Sequence, residues 1–185
     1  MKKIALLGDS IRLIGYGKHV PDMLGEEYEV YQPSDNCRFA KHTMRMIFDL
    51  KDKLEGSDVI HWNNGIWDTV DYFGDGPFST LEDYVHTMVR IAKVLKGYSK
   101  KVIFATTTPG KGAGNAARNE HIVVYNRVIV KELESMGVLI NDLYSTVKGH
   151  EDEYICKDNL HLSEEGEKVL AKQVCAHIIE ACKEI

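Results

Sequence analysis

What most limits the folds open to this chain is its alternation of short, nearly uninterrupted apolar runs with longer stretches of helical periodicity. Lys3 to Gly8 (K-I-A-L-L-G) reads as a buried strand, because strands of a parallel sheet are covered on both faces and need no polar alternation. Tyr28 to Tyr31, Asp58 to Asn63, Val102 to Thr107 and Val138 to Asn141 supply four more strands. Between them the apolar residues recur every three or four positions. A helix is expected from about Lys41 to Leu54, with Met44, Ile47, Phe48 and Leu54 on its inner face. Another is expected from Thr80 to Leu95, opened by Ser79-x-x-Glu82 as a capping box, with Tyr84, Val85, Met88, Ile91, Ala92 and Leu95 inward. A third runs from about Arg118 to Met136 and stops at Gly137. The last begins after Ser163, an N-cap followed by Glu164 and Glu165, and buries Leu170, Val174, Ile178 and Cys182.

Strands alternating with helices imply right-handed βαβ crossovers and a parallel sheet between two helical layers. The expectation is an α/β fold: a three-layer α/β/α flavodoxin-like sandwich with a five-stranded parallel sheet in the order 2-1-3-4-5, forming one domain over residues 1–185. Composition narrows the partners. The chain has 23 basic and 28 acidic residues, a formal net charge of −5, and no basic run. It lacks the electrostatic footprint of a nucleic-acid or anionic-membrane binder. The first apolar run, Ile4 to Leu7, is too short for the core of a secretion signal, and no stretch approaches the roughly 20 apolar residues of a membrane span. Cys37, Cys156, Cys175 and Cys182 show no C-x-x-C spacing, so neither a zinc site nor a disulfide framework is suggested. A cytoplasmic protein without a metal or cofactor is expected.

In such a sheet ligands bind beyond the carboxyl ends of the strands, near the point where strand order reverses. That rule marks out Gly8-Asp9-Ser10 after the first strand, Asn36-Cys37-Arg38 after the second, Asn63-Asn64-Gly65 with Trp67-Asp68 after the third, and Asp158-Asn159-Leu160-His161 before the last helix. A Gly-Asp-Ser triplet is expected by chance roughly 0.05 times in this composition. Asp-x-x-His occurs at Asp58/His61, Asp83/His86 and Asp158/His161, but only the last pair falls in a rim loop. His61 and His86 read as packing or surface residues. Ser10, His161 and Asp158 can divide labour as nucleophile, base and orienting carboxylate. A histidine base acts only when neutral, so hydrolysis is expected to rise through roughly pH 6 to 7, the ordinary histidine range. Gly-x-Ser-x-Gly is absent, because position 12 is Arg12, which argues against an α/β-hydrolase elbow.

These residues resemble the SGNH (GDSL) hydrolase family. Gly8-Asp9-Ser10 after the first strand and Asp158-x-x-His161, followed by Leu162-Ser163-x-x-Gly166, match its first and last blocks. The resemblance spans essentially the whole chain. It implies metal-independent hydrolysis of small-molecule esters, acetylated carbohydrates among them, with Ser10 as nucleophile, His161 as base and Asp158 as its partner. The middle blocks depart from the family pattern. Gly65-Ile66-Trp67-Asp68 puts Trp67 where the oxyanion-hole asparagine belongs, so Asn64 or the adjacent Asn63 is expected to donate instead, beside Gly65. The second block has no glycine between Asn36 and Ala40, where the expected donor is a backbone N–H such as that of Ala40. Arg12, Arg38 and Trp67 are candidates for lining an acyl or sugar pocket, and Cys37 reads as an inert thiol. Gly110 to Asn115 completes neither phosphate-loop pattern and reads as a flap over the site. The alternative is an SGNH-fold binding protein that has lost efficient chemistry.

Overall fold

Strand residues of alternating parity divide the core in two. In β1 (Lys2–Leu7), Ile4 and Leu6 face one hydrophobic cluster while Ala5 and Leu7 face another. The computed structural model describes residues 1–185. In chain order the elements are β1, α1 (Ser10–Leu13), α2 (Val20–Leu24), β2 (Tyr28–Tyr31), α3 (Ala40–Asp49), α4 (Lys51–Leu54), β3 (Ser57–Asn63), α5 (Leu81–Tyr98), β4 (Ser99–Ala105), α6 (Ala116–Ser135), β5 (Leu139–Asn141), α7 (Leu143–Val147), α8 (Glu151–Tyr154) and α9 (Glu164–Lys183). The five strands pair in parallel in the order β2-β1-β3-β4-β5, as the alternation predicts. One face of the sheet packs on α2 and α9 through Val20, Leu24, Leu170, Val174 and Ile178. The other packs on α3, α5 and α6 through Ile47, Met88, Ile91, Ile129 and Leu133. No helix is long and apolar enough to cross a membrane. All four cysteines are free thiols.

Two local expectations are corrected. The helix expected from Lys41 to Leu54 breaks at Leu50 into α3 and α4, and Phe48 turns outward at 68% exposure, with Arg45 over its ring. The cap of α5 is Thr80, whose hydroxyl accepts the Asp83 N–H; the Ser79 hydroxyl instead donates to the buried Asp68. The two hydroxyl residues are adjacent, so spacing alone did not separate them. A third feature is not read from the sequence at all: α7 and α8 lie between β5 and the loop that carries Asp158 and His161. Ser163 caps α9 as expected, accepting from the Gly166 N–H at 3.1 Å.

Candidate active site

Strand order reverses at β1, and the residues leaving it are shaped by close packing. A Cβ on Gly8 would lie 2.0 Å from the Asn63 side-chain oxygen, so only glycine fits there. Asp9 is fully buried and accepts the Ile11 N–H at 2.9 Å. That cap makes Ser10 the first residue of α1, with a backbone N–H that has no intrahelical acceptor. Burial pushes the Asp9 carboxyl up to about 6, against the Ile11 hydrogen bond and the positive charge of Arg12.

The loop before α9 is closed by an antiparallel bridge between Ile155 and Leu162 and by the Cys156 N–H donating to the His161 carbonyl at 2.8 Å. Asn159 takes a left-handed conformation (φ 65°), which asparagine tolerates better than most side chains. The turn folds Asp158 back onto His161. One Asp158 oxygen accepts from the N–H groups of Leu160 and His161, both at 2.9 Å, and from the Cys156 thiol at 3.1 Å. The other lies 2.6 Å from His161 Nδ1, while His161 Nε2 lies 2.9 Å from Ser10 Oγ. Partial desolvation opposes ionisation of Asp158, but the hydrogen bonds from His161, Cys156 and the two backbone N–H groups outweigh it and hold the carboxyl well below its ordinary range. A hydroxyl, an imidazole and a carboxylate thus stand in one hydrogen-bonded line, a geometry suited to nucleophilic acyl transfer.

Ser10 and His161 open into a cleft of about 320 Å³ also lined by Asn36, Ile66, Trp67, Val70, Tyr72, Arg118 and Leu160. A larger depression of about 410 Å³ between α6 and β5 contains no nucleophile–histidine pair. The four residues expected to bind the oxyanion lie outside the cleft. Asn64 is fully buried; its amide nitrogen donates to the Arg38 carbonyl at 2.8 Å and its oxygen accepts from Trp62 Nε1 at 2.7 Å. The Asn63 oxygen accepts from the Tyr16 hydroxyl at 2.8 Å. Gly65 (φ 144°) serves a tight turn in which a Cβ would lie 2.1 Å from Thr107 Oγ1. The Ala40 N–H is taken by the Asp68 carboxylate at 3.1 Å. Neighbouring backbone donors are engaged too: Asn36 N–H by Asp35, Cys37 N–H by the Gly8 carbonyl and Arg38 N–H by the Asn36 side-chain oxygen.

Asn36 is placed on the rim by sequence but given no role there as a donor. Its oxygen faces its own loop through Arg38, and its amide nitrogen has no protein partner while the residue lines the cleft. Arg38 takes a left-handed conformation (φ 51°), which glycine adopts more readily than an arginine does. No sequence rule would have marked Asn36 above its neighbours; only the spent N–H groups around it single it out. Arg12 is not a pocket residue. It is fully buried, and its guanidinium donates to the carbonyls of Pro33, Gly8 and Asp35. Trp67 does line the cleft. His61 is a core residue 3.1 Å from the Asn141 amide, and burial lowers it to about 3. The Gly110–Asn115 segment is pinned to the histidine loop: the Lys111 N–H and the Asn115 amide both donate to the Asn159 carbonyl, at 2.8 and 3.0 Å. Its N–H groups at Gly110, Lys111 and Asn115 are all engaged, which leaves no phosphate cradle.

This rim can be compared with known proteins. An acetylxylan esterase from Geobacillus stearothermophilus superposes with a TM-score of 0.78 at 18% identity, covering 96% of this chain and 94% of that one. A lipase/acylhydrolase from Enterococcus faecalis gives 0.77 at 20% identity, covering 96% and 95%. A GDSL-like lipase from Bacteroides thetaiotaomicron gives 0.77 at 17% identity, covering 97% and 89%. The chain shares the fold of these three proteins. In sequence, a GDSL esterase/lipase of Oryza sativa subsp. japonica is 29% identical over 162 residues, which cover 79% of this chain. The chain spans 62% of the length of that relative. No protein-family model matches it.

Proposed function

We propose that the chain is a serine esterase that hydrolyses small acyl esters, with Ser10 as nucleophile, His161 as general base and then acid, and Asp158 as its orienting partner. One observation carries this reading: the continuous line of hydrogen bonds from Ser10 Oγ through His161 to Asp158, at 2.9 and 2.6 Å, on the rim of a GDSL-like fold. His161 Nε2 takes the hydroxyl proton as Ser10 Oγ bonds to the ester carbonyl carbon. The imidazolium that forms is stabilised by the Asp158 carboxylate. The oxyanion of the tetrahedral intermediate is met by the Ser10 N–H and the Asn36 amide, the unengaged donors at this end of the cleft. Collapse breaks the bond to the alcohol, which leaves with the proton from His161. Water then attacks the acyl-serine by the same proton route and regenerates the hydroxyl. The modest cleft favours short acyl groups, and the likeness to an acetylxylan esterase supports acetylated carbohydrates as the first substrates to try.

Intact-mass measurement after treatment with a fluorophosphonate tests the proposal without knowledge of the substrate. One adduct is expected on the wild type and none on Ser10→Ala, alongside hydrolysis of acetyl esters by the wild type alone. A folded wild type that takes no adduct would overturn the esterase reading and leave a binding protein on the same fold.

A further inference from the structure

Arg118 stands in the first turn of α6 and lines the cleft shared by Ser10 and His161. Its electrostatic situation differs from that of Arg12, Arg38 and Arg45. Arg38 and Arg45 lie within ion-pair distance of Asp35 and Asp49. Arg12 is enclosed by backbone carbonyls. Arg118 makes a single hydrogen bond, from Nη1 to the Asn115 side-chain oxygen at 3.0 Å, and forms no ion pair. Its Nε is buried without a partner. Burial disfavours its charge. The first turn of a helix is also the positive end of its dipole, so the position is costly for a cation unless an anion joins it. The fork of N–H groups on a guanidinium matches a carboxylate.

The setting also fixes which side of the cleft Arg118 serves. Asn115, which receives its hydrogen bond, donates to the Asn159 carbonyl, and the Lys111 N–H donates to the same oxygen. Asn159 belongs to the turn that carries His161, and the Lys111 ammonium adds a 2.8 Å ion pair to Asp152 just upstream of that turn. Arg118 is therefore tied, through Asn115 and Asn159, to the turn that carries the imidazole returning a proton to the departing alcohol. The oxyanion side of the cleft, at Ser10 and Asn36, belongs to the segments after β1 and β2. Val70, Tyr72 and Leu160 supply apolar contact between the polar groups.

We infer that Arg118 is a specificity residue that binds a carboxylate on the alcohol half of the ester, so that the preferred substrates are short acyl esters of hydroxy acids. This inference rests on the esterase reading of the same cleft. The test uses matched probes that differ only in charge: 3-hydroxybenzoate against 3-hydroxybenzamide as ligands, and their acetyl esters as substrates. Binding is measured by calorimetry on Ser10→Ala, which turns nothing over, with and without Arg118→Met. Hydrolysis is measured on the wild type and on Arg118→Met, with Arg118→Gln as a second variant should the first fail to fold. A charge-assisted contact should favour the carboxylate by about tenfold or more in Kd and in kcat/KM, and the ratio should fall to near one without the guanidinium. Equal use of acid and amide by the wild type, or a preference that survives Arg118→Met, overturns the inference while leaving the esterase intact. Arg118-dependent binding without turnover of either ester would break the esterase reading and, with it, the assignment to an alcohol half.

Discussion

The turn before α9 and the turn after β3 end at the same rim of the sheet and use similar residues, yet they direct them oppositely. In the first, Asp158 is satisfied almost wholly by its own loop, through residues two and three positions away. The imidazole is left to reach Ser10 across the cleft. In the second, the polar groups are consumed by distant segments: Asn63 by Tyr16, Asn64 by Arg38, the Asn64 carbonyl by Tyr84 and Thr107, and Asp68 by Ala40 and Ser79. A rim loop that satisfies itself can present chemistry. One buried beneath its neighbours must spend its polar groups on them, because an unsatisfied buried polar group is costly.

Placing the same substitution in each loop should separate them most sharply. Asp158→Asn should lower kcat on an acetyl ester by about 10⁴-fold, because an amide cannot hold the imidazole in the required tautomer or stabilise its cation. Its urea midpoint should change little. A loss smaller than tenfold would remove Asp158 from the reaction. Next in size is the pair of asparagines. Asn36→Ala should reduce kcat by about 10²-fold, the ordinary cost of an oxyanion donor, at unchanged stability. Asn64→Ala should instead cost about 2 kcal/mol of stability for two lost buried hydrogen bonds. If Asn64→Ala proved the catalytic variant and Asn36→Ala the silent one, the contrast drawn between the two loops would be reversed.

The carboxylate of the buried turn carries its own pH signature. Burial pushes Asp68 up to about 6, against the hydrogen bonds from Ser79 and Ala40, whereas an unfolded aspartate titrates near 3.9. Between those values the folded state holds a proton that the unfolded state has lost. Through this group, stability therefore falls as pH rises from about 4 through 6 and is regained on acidification. Asp68→Asn, neutral throughout, should gain on the order of 2 kcal/mol relative to wild type between pH 4 and pH 7.5, read from urea unfolding at the two values. A difference that does not vary with pH would show that the Asp68 carboxylate is not destabilised by its burial. Asp158 has the opposite sign, because its folded form favours ionisation. The smallest effect belongs to the Cys156 thiol on Asp158. A thiol is a weak donor, so Cys156→Ala should lower kcat by less than tenfold.

Much of this molecule is written locally. The strand runs, the inward stripe of α9, the Ser163 cap and the sheet order all follow from periodicity and short-range signals, which act within a few residues. The Ser10 and Asp158/His161 pairing is legible for a related reason. The first lies at the exit of the strand where order reverses, and the second needs only a three-residue turn to bring carboxylate and imidazole together. The oxyanion side and the Arg118 wall are different. Whether Asn64 or Ala40 has a donor to spare depends on Arg38 and Asp68, 26 and 28 residues away in the chain. Arg118 is tied to the His161 turn through a contact between Asn115 and Asn159 that spans 44 residues. Sequence by itself determined the fold and the Ser10–His161–Asp158 hydrogen-bonded line, because each is set by local pattern and strand order. Only the tertiary structure decided which polar groups face the cleft, because hydrogen-bond satisfaction is settled among segments that meet only when the sheet has formed.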